Sequence, residues 1–204
     1  MYAPYSSTPV AGAPYAPSSS GSGNAQASAP PAPGSRAGIA PPPAVPGSRT
    51  AQHTQNADQV APRIWVGDAK SAADANFLHT AGIGAILNCT KDIPNYFGGR
   101  GDLEYMRVPV NDSLQKVDID RMREFLPHAA SFVYKNRDLE GKNVLIHCAA
   151  GIQRSATCAA FFLHLYEDLP LTQAIEQILR ARPKAFHNGT HLNFRESLQL
   201  QQRF

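Results

Sequence analysis

The sequence predicts an α/β domain in which a central, mostly parallel sheet is flanked by helices, preceded by a disordered N-terminal tail. After about residue 60, short apolar runs typical of buried strands, such as residues 85–88 and 144–146, alternate with longer segments whose apolar residues recur at helical spacing. Strands interleaved with helices favour an α/β architecture, with the functional loops at the carboxyl ends of the strands. Before residue 60 the chain is instead rich in proline, alanine, serine and glycine.

Residues 1–60 contain eleven of the 17 prolines and are rich in alanine, serine and glycine. Their charged side chains are Asp58, Arg36 and Arg49. Such a segment buries too little apolar surface to offset the loss of chain entropy on folding. We therefore expect residues 1–60 to form a disordered tail and residues 61–204 to form the folded domain.

The first half of the domain is predicted to alternate between strand and helix. Residues 63–68 alternate as a strand, and a capping-box-like start at residues 71–74 leads a helix that ends near Gly82. Residues 85–90 follow as a buried strand. A loop at residues 91–102 contains proline and paired glycines, which are typical of turns.

The second half is predicted to be mainly helical around one central strand. Residues 104–110 alternate as a strand, and Pro109 indicates a sheet edge or a strand end. Apolar residues then keep helical spacing from Ile119 to Val133. A turn at residues 136–142 precedes the central strand. The remaining predicted helices are residues 156–167, 172–180 and a last one around 193–202.

Charge and cysteine content exclude several classes of protein. The formal net charge of +3 is too small to indicate nucleic-acid or membrane binding. Three cysteines provide no disulfide framework and fit a reducing compartment. No segment has the roughly 18 to 20 apolar residues of a membrane span, and the first residues do not resemble a secretory signal. We expect a soluble cytoplasmic protein, with the nucleus as a second compartment.

Residues 147–155 are the segment on which the functional argument depends. They connect the apolar strand 144–146 to a helix through a tight loop that contains Gly151. Such a loop is an anion cradle, because its N–H groups point inward and the helix dipole adds positive charge. Cys148 at its mouth would be held as the thiolate, and Arg154 offers a planar fork for two phosphate oxygens. The alternative interpretation, a structural cysteine and a surface arginine, ignores the flanking strand and helix.

This segment, from His147-Cys148 to Arg154-Ser155, resembles the His-Cys-x5-Arg-Ser/Thr signature loop of the cysteine-dependent protein tyrosine phosphatases. A strand ending in Val-Gly-Asp and an Ile-Leu-Asn-x-Thr strand resemble the small dual-specificity branch. The resemblance implies a protein tyrosine phosphatase-like fold, no metal, no cofactor, and hydrolysis through a phosphocysteine intermediate on Cys148. It also implies that the phosphate is held by the N–H groups of the loop together with the Arg154 fork: Ala149, Ala150, Gly151, Ile152, Gln153 and Arg154.

Two neighbours of the cysteine have roles that the sequence leaves open. Ser155 either caps the helix or hydrogen-bonds the thiolate and eases its departure in the second step, and the resemblance favours both together. We interpret His147 as a structural residue that orients the loop rather than as a base. A hydrogen-bonding neighbour would still favour the ionised sulfur.

An alkoxide or phenolate leaving group needs a proton, so a carboxylic acid must lie within reach of the cysteine. Three candidates follow the strand at residues 104–110. The resemblance selects Asp112, on a loop just after a strand. Asp118 is predicted to be the N-cap of the next helix, and Asp120 to lie in its first turn. The spacing from Asp112 to Cys148 is longer than is usual in the family, and the turn before the central strand is expected to absorb the difference.

Three further residues are assigned supporting or structural roles. Asn188 resembles a family asparagine that supports the signature loop, although His187 stands where the family has proline. Cys89 and Cys158 are predicted to be core cysteines. A reversible disulfide between Cys148 and Cys89 is a second hypothesis for Cys89.

The substrate is predicted from the variable positions of the loop. Positions 149, 150, 152 and 153 carry no basic side chain, which weighs against multiply phosphorylated substrates. We expect a phosphoprotein bearing phosphotyrosine or phosphoserine/threonine. The alternatives are a phosphoinositide phosphatase, an RNA 5′-phosphatase, or a catalytically weak phosphoprotein-binding module. Arg180, Arg182 and Lys184 either steer acidic phosphopeptides or form a solvated helix end. The sequence gives no indication of the oligomeric state.

Overall fold

The computed structural model describes residues 56–113, 115–186 and 194–199. The elements are, in chain order, strands β1 (Ala57–Ala61) and β2 (Ile64–Gly67), helices α1 (Ala69–Ala73) and α2 (Ala75–Thr80), strands β3 (Ile83–Asn88) and β4 (Glu104–Arg107), helix α3 (Lys116–Tyr134), strand β5 (Asn143–His147), and helices α4 (Arg154–Tyr166), α5 (Leu171–Ala181) and α6 (Arg195–Gln199). Asn188, His187 and the ends of the predicted last helix, residues 193 and 200–202, lie outside the described residues, and the middle of that predicted helix forms α6.

The strands form one five-stranded sheet in the order β1-β2-β5-β3-β4. Strands β2, β5, β3 and β4 are mutually parallel, and only β1 pairs antiparallel, with β2. The predicted fold class, a mostly parallel sheet flanked by helices, is therefore confirmed. Strand β4 is an edge strand and ends two residues before Pro109, as expected for a residue that cannot donate to the ladder.

Alternate residues of the central strand β5 belong to opposite faces of the sheet. Val144 and Ile146 pack into the larger core, together with the apolar faces of α3, α4 and α5. Leu145 packs into a smaller core on the other face, with Phe77 and Leu78 of α2. Because both faces are covered, β5 is an unbroken apolar run rather than an alternating one. Its carboxyl end is the point at which the signature loop begins.

Strand β1 lies mostly within the segment that the sequence analysis assigns to the tail. Its residues Ala57 and Val60 are buried, and it pairs with β2 from Ala57 to Ala61. The folded region thus begins before residue 61. The strand was not predicted because it is only five residues long and follows a long segment rich in proline, serine and glycine, which dominates the composition of residues 1–60. Residues 1–55 lie outside the described part of the chain, and their predicted disorder stays a prediction.

The sequence predicts the wrong residue as the cap of the first helix. Asp68, not Ser71, caps α1, and its carboxylate accepts a hydrogen bond from the Ser71 N–H at 3.0 Å. A second cap at Asp74 opens α2 and accepts from the N–H groups of Asn76 and Phe77. The single predicted helix is therefore two short ones. Each aspartate satisfies amide hydrogens that have no partner within its own helix.

Helix α3 also begins earlier than predicted. Its N-cap position is Gln115, so Asp118 lies inside the first turn and is not the cap. At its other end α3 continues as a π-helical segment over Lys135–Leu139, where the sequence predicts a turn. Asn136 is buried there and donates its side-chain amide to the Phe132 carbonyl at 3.1 Å. Within the described residues, no helix is long and apolar enough to cross a membrane.

Candidate active site

The loop from Cys148 to Gln153 connects the carboxyl end of β5 to the N-terminus of α4. The Cys148 N–H donates to the carbonyl of Gly67, the last residue of the neighbouring strand β2, at 3.3 Å. Gly151 has a φ of +67°, and a Cβ there would lie 2.7 Å from the Gly67 carbonyl oxygen. Only glycine adopts this backbone conformation in so close an approach, so the turn of the loop depends on Gly151.

The Cys148 sulfur lies inside this loop and is 1% exposed. It accepts the Gly151 N–H at 3.2 Å and the Ser155 hydroxyl at 3.3 Å. An ionised sulfur accepts such bonds more strongly than a thiol does, and the N-terminus of the 13-residue helix α4 adds partial positive charge. Two hydrogen-bond donors and the N-terminus of α4 are therefore directed at the Cys148 sulfur. The predicted contact between Ser155 and the sulfur is present, but the predicted capping role is wrong, because Gln153 is the N-cap position of α4 and Ser155 lies inside the helix.

Three carbonyl groups of the loop are bound from outside. The Ala149 carbonyl accepts the Ala69 N–H at 3.2 Å, and the Ile152 carbonyl accepts the Phe186 N–H at 2.8 Å. The Gly151 carbonyl is held by the side chain of Arg182 at 2.7 Å. Since the C=O and N–H of one peptide group point in opposite directions, the amide hydrogens that follow these carbonyls point away from those outer partners. The loop can therefore offer N–H groups to an anion.

Arg154, the first residue of α4, connects the loop to the candidate acid. Its side chain is 5% exposed, and it donates one Nη to the Val110 carbonyl at 2.9 Å and the other to Asp112 Oδ2 at 3.0 Å. The Arg154 Nε is buried and has no hydrogen-bond partner among the described residues. The Asp112 side chain is 48% exposed, so its carboxyl group is accessible to solvent while it is paired with Arg154.

Of the three candidate acids, the structure brings Asp112 to the signature loop. Asp118 is buried and accepts hydrogen bonds from the side chains of Ser113 and Asn111. Asp120 pairs with Lys116 at 2.5 Å, and this contact lowers the pKa of its carboxyl. Neither Asp118 nor Asp120 lines the pocket beside Arg154. That pocket, of about 230 Å³, is lined by Thr90, Lys91, Asp92, Ile93, Val110, Asn111, Asp112, Ala149 and Arg154.

Comparison with known proteins identifies the family to which this site belongs. Residues 64–203 match the dual specificity phosphatase catalytic domain. The chain belongs to this family. Human dual specificity protein phosphatase 9 is 31% identical over 149 residues, 71% of this chain but 38% of that protein. The chain thus spans well under half the length of the curated relative. The resemblance seen in the sequence is confirmed.

Solved structures of dual-specificity phosphatases share the fold. Human DUSP28 superimposes with a TM-score of 0.61 at 24% identity, covering 74% of this chain and 95% of that one. A mouse putative dual specificity phosphatase, solved in complex with zinc tungstate, gives a TM-score of 0.61 at 25% identity, over 75% of this chain and 90% of that one. The described residues therefore have the fold of a whole dual-specificity phosphatase domain.

Arg182 is the residue of this dual-specificity domain that sequence reasoning misjudged. It is fully buried, so it neither steers a peptide nor lies at a solvated helix end. Besides the Gly151 carbonyl, its guanidinium contacts Asp58 Oδ2 at 2.5 Å and the Asn56 carbonyl at 3.4 Å. Arg182 therefore connects strand β1 to the signature loop. The only sequence signal was the Arg-Pro pair itself, since Asp58 is 124 residues away in the chain.

Cys89 lies beside Cys158 in the larger core. The two sulfurs are 3.6 Å apart, and both side chains are buried. Burial, with a contribution from Cys158, raises the pKa of the Cys89 thiol well above its ordinary value. Cys89 is therefore a neutral core thiol at neutral pH. A Cys148–Cys89 disulfide stays a hypothesis.

His147 is buried, and neither ring nitrogen has a hydrogen-bond partner among the described residues. Burial lowers the pKa of His147 to about 4. The imidazole is therefore neutral near pH 7 and places no positive charge beside Cys148 at that pH. The structural role of His147 stays a prediction, and its burial and neutral charge favour it.

The buried histidine makes stability depend on pH. Between about pH 6.5 and pH 4, the unfolded chain binds a proton at this residue that the folded protein does not bind. We expect the free energy of unfolding to fall as the pH falls through this window, by about 3 kcal/mol for this group. Urea unfolding of the wild type and His147→Gln at pH 7, 5.5 and 4 measures it. The prediction is contradicted if the difference in the free energy of unfolding between the wild type and His147→Gln is the same at all three pH values.

Proposed function

We propose that this chain is a protein phosphatase that hydrolyses phosphotyrosine and phosphoserine/threonine through a phosphocysteine intermediate. One observation carries the proposal. The Cys148 sulfur, bonded by the Gly151 N–H and the Ser155 hydroxyl, lies within a loop whose arginine is paired with Asp112. A nucleophile, an anion site, a cationic clamp and a carboxylic acid are the groups that phosphoryl transfer to sulfur requires.

In the first step the Cys148 thiolate attacks phosphorus. A sulfur–phosphorus bond forms as the bond from phosphorus to the substrate oxygen breaks, and Asp112 supplies the proton that the leaving oxygen takes up. The Arg154 guanidinium and the loop N–H groups stabilise the charge on the three equatorial oxygens. Arg154 carries five N–H donors, and its Nε has no partner among the described residues, so it can bind phosphate oxygens while one Nη keeps its bond to Asp112.

In the second step water attacks the phosphocysteine. The Asp112 carboxylate now takes a proton from the water, and the sulfur–phosphorus bond breaks to return the thiolate. Ser155 supports this step, because its hydroxyl donates to Sγ at 3.3 Å and so stabilises the sulfur as it regains its charge. Inorganic phosphate then leaves, and Asp112 is again protonated for the next turnover.

A substrate panel tests the proposal. We expect the protein to hydrolyse p-nitrophenyl phosphate and phosphotyrosine and phosphothreonine peptides in the presence of a chelator. A phosphoinositide and a 5′-triphosphorylated RNA should be poorer substrates, because positions 149, 150, 152 and 153 of the loop add no positive charge for extra phosphates. Turnover of the lipid or the RNA alone would replace the proposal with one of those activities. Binding of phosphopeptide without turnover of any substrate would indicate a binding module.

The same panel tests Asp112 as the acid. Asp112→Asn should reduce kcat by about 10² to 10⁴-fold for phosphopeptides, whose leaving oxygens need a proton, and far less for p-nitrophenyl phosphate. Asp120→Asn, on an aspartate outside the pocket, is the matched control and should leave both rates within about twofold. An equal loss on both substrates in Asp112→Asn would instead assign this residue a role in holding Arg154.

A further inference from the structure

The connection from β3 to β4 is a long segment without regular secondary structure. It comprises residues 89–103 and joins two strands that are parallel neighbours at the edge of the sheet. Connections of this length without helix or strand are uncommon in compact domains and are usually functional. Its first part, residues 90–95, is here called the 90–95 wall, because Thr90, Lys91, Asp92 and Ile93 line the pocket that contains Arg154 and Asp112.

One side chain holds the 90–95 wall in place. Arg107, the last residue of β4, is partly buried, and within the described part of the chain its guanidinium donates its hydrogen bonds to the 90–95 wall. One Nη donates to the carbonyls of Thr90 and Ile93, each at 2.8 Å, and more distantly to that of Lys91 at 3.3 Å. The other Nη donates to the Asn95 side-chain oxygen at 3.1 Å. Four acceptors spread over six residues are thus fixed around one planar group.

Asn88, the register partner of Arg107 on β3, completes the attachment. Its amide nitrogen donates to the Ile93 carbonyl and to the Asn95 side-chain oxygen, each at 2.9 Å, which are two of the acceptors that Arg107 uses. Its oxygen accepts the N–H and the hydroxyl of Thr90 at 3.1 and 2.7 Å. The ends of two adjacent strands therefore determine the shape of the wall.

We propose that Arg107 is a positioning residue for substrate specificity, acting through the 90–95 wall on the polypeptide that flanks the phosphorylated residue. The inference rests on the proposed function, which places the phosphoryl group between Cys148 and Arg154. The pocket of about 230 Å³ contains Asp112 together with Arg154 and Ala149 of the signature loop, so the chain on either side of a phosphorylated residue bound by Arg154 would lie along its rim. Lys91 and Asp92 are exposed there and belong to the wall. They meet the peptide in a fixed arrangement only while Arg107 holds the backbone that carries them.

Two substrates of different size separate this role from a general effect on the fold. p-Nitrophenyl phosphate carries no flanking chain and does not reach the rim, whereas a phosphotyrosine peptide of about ten residues does. Arg107→Lys keeps the positive charge, but a single ammonium cannot reach acceptors placed around a planar fork. We expect the ratio of kcat/KM for the peptide to that for p-nitrophenyl phosphate to fall about tenfold in Arg107→Lys, mainly through KM for the peptide.

Two other variants complete the experiment. Asn95→Ala removes the acceptor that Arg107 and Asn88 share while leaving both in place, and it should shift the ratio in the same direction by a smaller factor. Arg100→Lys is the matched control, since Arg100 lies in the same connection but pairs with the exposed Asp102. It should leave the ratio at its wild-type value. Thermal denaturation of each variant confirms that it is folded.

The outcomes separate this inference from the proposed function. If Arg107→Lys and Asn95→Ala change kcat/KM for both substrates by equal factors, or change neither, the assigned role of Arg107 is refuted, while Cys148 keeps its role. If the wild type fails to hydrolyse the peptide at all, the proposed function is refuted, and the inference with it. The inference is supported if the ratio of kcat/KM for the peptide to that for p-nitrophenyl phosphate falls about tenfold in Arg107→Lys and stays at its wild-type value in Arg100→Lys.

Discussion

Cys148→Ser is expected to lower kcat for p-nitrophenyl phosphate by at least about 10⁴-fold, because the variant loses the nucleophile while every other group of the site remains. A serine hydroxyl in this loop is not ionised at neutral pH and is a weaker nucleophile than the sulfur that it replaces, at which two donors are directed. Since Arg154 and the loop N–H groups are unchanged, the variant should still bind phosphopeptide, and binding can be measured by fluorescence anisotropy.

Cys158→Ala is the matched control for this experiment. Cys158 lies on α4 in the same core and is equally buried, but its sulfur contacts Cys89 and Met122 rather than the signature loop. Its kcat should stay within severalfold of the wild-type value, with a loss of stability of about 1 kcal/mol from the small cavity. Turnover by Cys148→Ser comparable to that of Cys158→Ala would exclude Cys148 as the nucleophile.

Arg154→Lys is expected to lower kcat/KM by about 10³-fold although it keeps the charge, because a lysine cannot bind two phosphate oxygens in one plane. The substitution has a second consequence. Arg154 also holds Asp112 at 3.0 Å and the Val110 carbonyl at 2.9 Å, so the acid loses its anchor when the fork is removed. We therefore expect the loss to be larger on phosphopeptides, which need the acid, than on p-nitrophenyl phosphate.

A double-mutant cycle separates the two contributions of Arg154. Arg154→Lys, Asp112→Asn and the double variant are compared on a phosphopeptide, with Arg63→Lys as a control far from the pocket, where Arg63 contacts the Gly141 carbonyl. If Arg154 acts partly through Asp112, the losses in the double variant are less than additive. A loss of less than tenfold in Arg154→Lys would show that the guanidinium does not clamp the phosphate.

The central strand and the signature loop could be predicted because their determinants are local. An apolar run of three residues, a glycine at the turn and an arginine at the helix start are consecutive in the sequence, and β5, Gly151 and α4 follow from them. The choice of Asp112 over Asp118 also agrees with the structure, in which Asp112 alone of the two lines the pocket. It came from resemblance to the family, together with the prediction that Asp118 and Asp120 belong to the start of the next helix.

What could not be predicted depends on contacts between distant parts of the chain. Nothing near Asp58 or Arg182 in the sequence indicates that they pair. Asp58 was assigned to the disordered tail, and Arg182 either to the steering of acidic phosphopeptides or to a solvated helix end. The cap of α1 was placed at Ser71 because serine and aspartate are both good caps, and only the backbone path decides between Ser71 and Asp68. Arg107 reads as an ordinary exposed strand residue until the 89–103 connection folds back over it.

The bond between Asp58 and Arg182 has a consequence for where this enzyme fold can be cut. A fragment that starts at residue 61, the limit that composition alone recommends, would keep the guanidinium in its dry interior and discard the carboxylate that neutralises it. Stranding a cation in this way costs about 3 to 5 kcal/mol, and the same guanidinium holds the Gly151 carbonyl. A truncation that removes Asp58 would thus disturb the signature loop through Arg182, although the loop lies about 90 residues further along the chain.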